Sequence, residues 1–238
     1  MAQTATARAE RGETKQKLLE AAERMFALHG IDAVSLRQIT LAAGQKNESA
    51  LHYHFGSREA LIEAIFEWRM TAIDARRNAM LDELEAQGRQ DDLRALVAAV
   101  ARPLSEQFRD PAGANHYNRF LAQVQHSPSV SLVPMVGGKY DRGVQRVYVL
   151  LARLLRHLPE RLLRQRFVTV VSSAIYGFAD IEQVMTQRRD QGREFDVERA
   201  IENLIDMAAA AIGAPVSPET QSRLDAEDNN EREGAQPS

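Results

Sequence analysis

Residues 33–61, AVSLRQITLAAGQKNESALHYHFGSREAL, decide the architecture of this 238-residue chain. Ser35 and Gln38 stand at the spacing where a serine hydroxyl accepts from the third amide of a helix while the glutamine reaches back to the serine amide. Val34 and Ile39 flank this start as a hydrophobic staple, and Leu36, Ile39 and Ala43 mark one buried face. Gly44 suits the left-handed residue that closes a helix. The segment makes about two turns, too few to be stable alone, so it must pack on something. Asn47 then caps a second short helix that runs to about Phe55. At about 100° per residue, Ala50, Leu51, His54 and Phe55 fall on one side of it and Glu48, Ser49, His52 and Tyr53 on the other. One side is core. The other turns hydroxyls, an imidazole and a phenol outward.

Outward from this stretch, nearly every segment reads as helix. Upstream, Leu18, Leu19, Ala22, Met25 and Phe26 recur at helical spacing from Thr14 to His29, and Gly30 stops the run. His29 in the last turn is favoured by the helix dipole. Downstream, Ser57 caps a long helix with Leu61, Ile65, Trp68 and Ala72 along one stripe. A further helix spans 91–108, with Pro103 as a kink or end, and DPAGAN is a loop. Residues 115–126 are helical and aromatic-rich, and SPSVSLVPMVGG is irregular. From Tyr140 to Leu158 the arginines 142, 146, 153 and 156 share one face, opposite an apolar face from which Val149 is the exception. Pro159 opens a helix to about Gln187 whose apolar positions wrap more than one face, and Asp196 caps what reads as the last helix. With no periodic strand and no internal repeat, the fold is expected to be all-α.

Composition removes several classes of function. Cys 0 excludes disulfides, thiolate nucleophiles and iron–sulfur clusters. No apolar run approaches the ~18 residues of a membrane span, and MAQTATARAERGE holds no signal-like apolar segment, so a cytoplasmic protein without a membrane partner is expected. The net charge of −3 taken as a whole argues against a nucleic-acid partner, but it is unevenly placed. Residues 214–238 hold six acids against two bases, which leaves residues 1–213 at +1. This tail, with three prolines and little apolar besides Val216 and Leu224, is expected to be disordered.

Two short helices joined by a turn, the second polar on its outer side and backed by a longer helix, are the parts of a helix-turn-helix reader. Such a reader needs one side buried and the other offering donors and acceptors to base edges. From Lys15 to Leu61 the residues resemble the DNA-binding domain of TetR-family transcriptional regulators. LLEAAERMFALHGIDAVSLRQITLAAG precedes a short recognition helix, and His54, Phe55, Ser57, Arg58, Glu59 and Leu61 match the family's His-Phe, Ser-Lys/Arg-Glu-x-Leu pattern. Two departures stand out. The stretch from Gly44 to Phe55 is one residue longer than the commonest family form, which lengthens the turn or shifts the start of the recognition helix. His52 also stands where the family usually has tyrosine, with Tyr53 directly after it.

The resemblance implies an N-terminal three-helix helix-turn-helix domain followed by a helical ligand-binding and dimerisation domain. Expected boundaries are a flexible arm at 1–12, the DNA-binding domain at 13–57, the effector and dimerisation domain at 58–213 and the acidic tail at 214–238. Arg8 and Arg11 in the arm would add backbone or minor-groove contacts. Ser49, His52 and Tyr53, with Glu48 beside them, would enter the major groove, while Arg37, Lys46, Asn47 and Arg58 would bind or position phosphate. His54 and Phe55 are assigned to packing. From Asp32 to Arg58 the module carries only +1, so a dimer would be needed for firm binding. The resemblance places that dimer on the last two helices, 159–187 and 196–212, and Ser172, Ser173, Ala174 and Gly177 would let helices approach closely.

A small hydrophobic or amphipathic effector is implied as well. Its candidate contacts are Trp68, Phe108, His116, Tyr117, Phe120, Tyr148 and Tyr176, each also suited to the core. The expected function is a repressor released from a palindromic operator by that effector, with an effector-independent architectural DNA binder as the alternative. No cofactor, metal or catalytic site is expected: His52 and His54, two apart on a helix, point about 200° from each other and cannot share an ion, and no catalytic motif is present.

Overall fold

The computed structural model describes residues 2–47, 49–106, 116–130 and 137–234, with the backbone alone described at 2–11 and 228–234. Among these, ten helices and no strand occur: α1 Ala2–His29, α2 Leu36–Ala42, α3 Ser49–His54, α4 Arg58–Ala86, α5 Leu93–Ser105, α6 Tyr117–His126, α7 Arg142–Leu154, α8 Glu160–Asp190, α9 Val197–Gly213 and α10 Pro218–Gly234.

The head is α1 to α3 closed by the start of α4. Leu18, Ala22, Phe26, Val34, Ile39, Leu51 and Leu61 are buried together. A fully buried side chain of this kind contributes about 1.5–3 kcal/mol, which explains how helices of seven and six residues persist here. The capping box at α2 forms in both directions: Ser35 Oγ accepts from the Gln38 amide at 3.2 Å and Gln38 Oε1 from the Ser35 amide at 2.8 Å. Gly44 closes the helix at φ +72°, a conformation costly for any residue with a Cβ. Asn47 Oδ1 accepts from the Ser49 amide at 3.1 Å, and Ser57 Oγ from the Ala60 amide at 3.1 Å.

Two terminal expectations are corrected. The arm at 1–12 is not an unstructured leader: α1 is helical from Ala2 onward. Residues 2–11 hold four alanines and two arginines and no proline, a helix-favouring composition that carries α1 across Gly12. The tail at 214–238 is not disordered over the residues described, because Pro218–Gly234 is helical. Ser217 Oγ accepts from the Thr220 amide at 3.2 Å, and Pro218 occupies the first helical position, where its missing amide costs nothing. Leu224 is buried, and Arg161 pairs with Glu227 at 3.0 Å. Composition argued against order; the helix-start signal Ser-Pro-Glu argued for it and prevails.

The body is a layered helical bundle around α8. Gln125 donates to Ser172 at 2.6 Å across α6 and α8, and α9 lies close along α8 because a Cβ on Gly177 would meet Leu204 at 2.8 Å. Ala174 is buried. Three of the four small residues expected at a dimer contact are thus used inside the protomer, and Ser173 alone of them is exposed. Arg77 is buried between α4, α5 and α7, donates to the Val100 carbonyl at 3.2 Å and lies 3.6 Å from Asp74. Gly143 must be a glycine there: a Cβ would come within 2.9 Å of both side chains, and its amide donates to Asp74 at 2.8 Å. Arg146 leaves the expected solvated arginine face to pair with Asp82 and Glu85 of α4 at 2.8 and 3.2 Å.

Polar contacts join head and body. The buried Glu23 carboxylate of α1 accepts from Arg69 of α4 at 2.7 and 3.1 Å and from the His116 amide at the start of α6 at 3.0 Å. Asp32, just after α1, accepts from Ser127 at 3.1 Å and from Ser129 at 2.5 Å.

Candidate nucleic-acid interface

Helix α3 is anchored by Leu51, 0% exposed, and turns Ser49, His52 and Tyr53 outward. Tyr53 is 73% exposed. Its ring meets the edge of His54 with centroids 5.2 Å apart, so a neighbour rather than the core orients it. His52 Nδ1 lies 3.2 Å from the Gly56 carbonyl, which ties its imidazole to the turn into α4. Burial, and then the Lys15 charge, hold the His54 imidazole below its ordinary value. His54 and Phe55 are half-buried, in keeping with packing.

Arg37, Lys46 and Asn47 are exposed on the head. Arg58 is placed differently from the expectation of a phosphate ligand. Its Nη1 donates to the Ile31 carbonyl at 2.6 Å, so the guanidinium closes the connection between α1 and α2 against the start of α4. Glu48 lies outside the described residues.

Two features escaped the sequence pattern. Leu41 on α2 is 59% exposed, an apolar side chain turned to solvent where the periodicity gave no reason to single it out. Lys17 and Arg24 of α1 border an open groove with Ala42, Ala43 and Gly44 at the end of α2. Their role depends on a contact between α1 and α2 that no local pattern encodes.

The six effector candidates among the described residues do not share one cavity. Tyr117 and Phe120 are fully buried in a ring cluster with Phe26 and Phe66, and burial pushes the Tyr117 phenol well up. Trp68 carries the Arg69 guanidinium over its ring at 3.7 Å, beside α1. Tyr148 meets Phe167 edge-on at 5.3 Å, and the Tyr176 hydroxyl lies 2.8 Å from His126 Nδ1. His116 Nδ1 is 3.6 Å from the buried carboxylate of Glu182. Phe108 lies outside the described residues. A narrow apolar crevice does exist elsewhere, lined by Val97, Val100, Phe167, Ala174, Leu204 and Ala208, but at about 10 Å³ it is nearly filled. Aromatic spacing does not mark it, because valine and alanine on α5, α8 and α9 build most of its wall.

No group of three or more metal-ligating side chains occurs among the described residues, and no described helix is long and apolar enough to cross a membrane.

Comparison with known proteins follows this geometry. Residues 18–65 match the family described as bacterial regulatory proteins, tetR family, and residues 98–211 match the tetracyclin repressor-like C-terminal domain. The HTH-type transcriptional repressor AcnR of Corynebacterium efficiens, and that of Corynebacterium glutamicum, are each 38% identical over 52 residues, which is 22% of this chain and 27% of the relative. The chain thus spans about a quarter of the length of these curated relatives, and the match falls short of the whole protein. A TetR family transcription regulator from Marinobacter aquaeolei has a similar fold, with 20% identity, a TM-score of 0.55, and coverage of 86% of this chain and 97% of that one. NalD of Pseudomonas aeruginosa, the secondary repressor of the MexAB-OprM multidrug efflux pump, does too, with 18% identity, a TM-score of 0.51, and coverage of 84% and 97%. These structures speak to fold alone. With both its N-terminal and its C-terminal segments matched, this chain belongs to the TetR family of transcriptional regulators.

Proposed function

We propose that the protein is a sequence-specific repressor that binds a palindromic operator as a homodimer and is released by a small hydrophobic or amphipathic effector. The observation that carries this reading is the outer side of α3, where Ser49, His52 and Tyr53 face solvent around a single fully buried leucine. A polar side held this firmly is suited to base edges in a major groove. Ser49 offers a donor or acceptor, and Tyr53 offers a ring for a thymine methyl and a hydroxyl for phosphate. Arg37, Lys46 and Asn47 supply backbone contacts that fix register. Arg58 supports the reader from inside.

The dimer would form on α8 and α9, where Val168 is 59% and Met207 61% exposed. These two, rather than the small residues of α8, are the reason to place a partner there. The effector would enter the apolar crevice behind them, since α8 and α9 both line it and widening it would move the dimer helices and with them the heads. Domain boundaries near 57 and 213 follow from this division of labour.

Selection of genomic fragments by the purified protein, followed by footprinting, tests the reading. The expected result is a small set of fragments sharing a two-fold symmetric site, bound by a species that sediments as a dimer. Fragments without a common motif would favour an architectural binder and overturn the repressor reading. A concentration-independent monomer would remove the proposed interface.

A further inference from the structure

The corner between α7 and α8 carries Arg153, Arg156, Arg161, Arg164 and Arg166 against one acid, Glu160, a local charge of +4. The first four arginines are exposed. Arg153 lies in the last turn of α7 and Arg156 in the turn just beyond it, while Arg161 and Arg164, three apart at the start of α8, share a side. Cations in the first turns of a 31-residue helix sit at the positive end of its dipole. Such a placement is unfavourable by itself and becomes favourable when an anion is supplied.

The chain supplies one. Glu160 pairs with Arg164 at 2.7 Å, and Glu227 of α10 pairs with Arg161 at 3.0 Å. Arg166 donates to the Ile212 carbonyl at 3.2 Å and to the Ala214 carbonyl, which fixes the connection that leads into α10. Beyond that connection α10 has a polar sequence, and among its described side chains Leu224 is the buried one. A single buried leucine contributes about 2 kcal/mol, little against the entropy of ordering a 17-residue helix. Charge attraction is the remaining force, and the tail of −4 matches the corner of +4.

We propose that the α7–α8 corner is a second polyanion-binding surface, fitted to the phosphates of nucleic acid, and that α10 is its intramolecular acidic occupant. Docked α10 keeps non-specific nucleic acid off this pole while the head stays open. The proposal is independent of which sequence the head reads.

The test uses full-length protein and a random-sequence 30-base-pair duplex titrated at several salt concentrations. The combined variant Glu219→Gln, Asp225→Asn, Glu227→Gln is expected to bind the duplex about tenfold more tightly at low salt, with the salt slope steeper by about two to three, near one unit per phosphate gained. Leu224→Ala, which loosens α10 without altering charge, should move both readings the same way. Adding Arg153→Gln, Arg156→Gln, Arg161→Gln and Arg164→Gln to the neutralised tail should return affinity and slope to those of the unaltered protein. The same four changes beside the native tail should leave them unchanged. An unaltered slope in the neutralised-tail variant would overturn the masking. A gain that survives the four arginine changes would place the new contacts elsewhere and overturn the surface.

Discussion

Helices α3 and α10 are both polar segments held by one leucine, Leu51 at 0% and Leu224 at 8% exposure, yet they are anchored by different physics. Leu51 enters a core already closed by α1, α2 and α4. The turns on either side of α3 are capped by Asn47 and Ser57, and Arg58 ties its exit to the Ile31 carbonyl. Leu224 meets one flank of the body, and its helix depends on the Arg161–Glu227 pair and on the Arg166 clamp. A polar side presented by a core is rigid and suited to reading. A polar helix attracted by charge is detachable and suited to covering.

The comparison is most exposed at the two leucines. Leu51→Ala should cost about 3 kcal/mol of global stability by denaturant unfolding and abolish DNA binding, because the cavity would lie under the reader. A loss well under 1 kcal/mol would show that α3 is no better anchored than α10. Next in size, Tyr53→Ala should lower affinity for the selected operator by about tenfold or more while shifting stability by less than about 0.5 kcal/mol. Ser57→Ala should cost about 1 kcal/mol, since it removes the cap that starts α4 behind α3. Leu224→Ala should be smallest in global terms, below about 0.5 kcal/mol, and visible instead as faster amide exchange confined to 218–227.

Acid sharpens the same contrast. Glu59 at the start of α4 and Glu219 at the start of α10 are both held below the usual carboxylate range, chiefly by backbone amides at their helix starts and then by Ser57 and Ser217. A depressed carboxylate contributes stability above its unfolded value that is lost as pH falls through the folded one. Lowering the pH from 7 to about 3 should therefore raise exchange across the start of α10 while the start of α4, backed by buried Leu61 and Ile62, stays protected. Equal protection loss at both starts would break the distinction.

Much of the reader was legible because its signals are local. The Ser35–Gln38 box, Gly44, the Asn47 and Ser57 caps and the two-sided pattern around Leu51 each involve residues a few positions apart, and each has the expected geometry. The bond from Arg58 to the Ile31 carbonyl, 27 residues away, has no such local signal. The buried Glu23, Arg77 and Glu182 gave no sequence signal, since burial of a charge depends on which helices cross it. The aromatic effector candidates scatter for the same reason: Tyr117 and Phe120 are spent in the core, and the crevice draws small residues from α5, α8 and α9. In the tail the helix start rests on Ser217 and Pro218 alone, a signal that the acidic, proline-containing composition hides.

The amino-acid sequence by itself determined the all-α class, the short capped helices of the head and which residues of α3 face outward, because capping and helical periodicity operate within one or two turns. Only the tertiary structure decided that Arg58 bonds the Ile31 carbonyl, that Gly177 serves α8 against α9 within one protomer, and that Glu227 of the acidic tail meets Arg161. Those outcomes depend on partners brought together by packing from dozens of residues away, where spacing along the chain carries no information about distance.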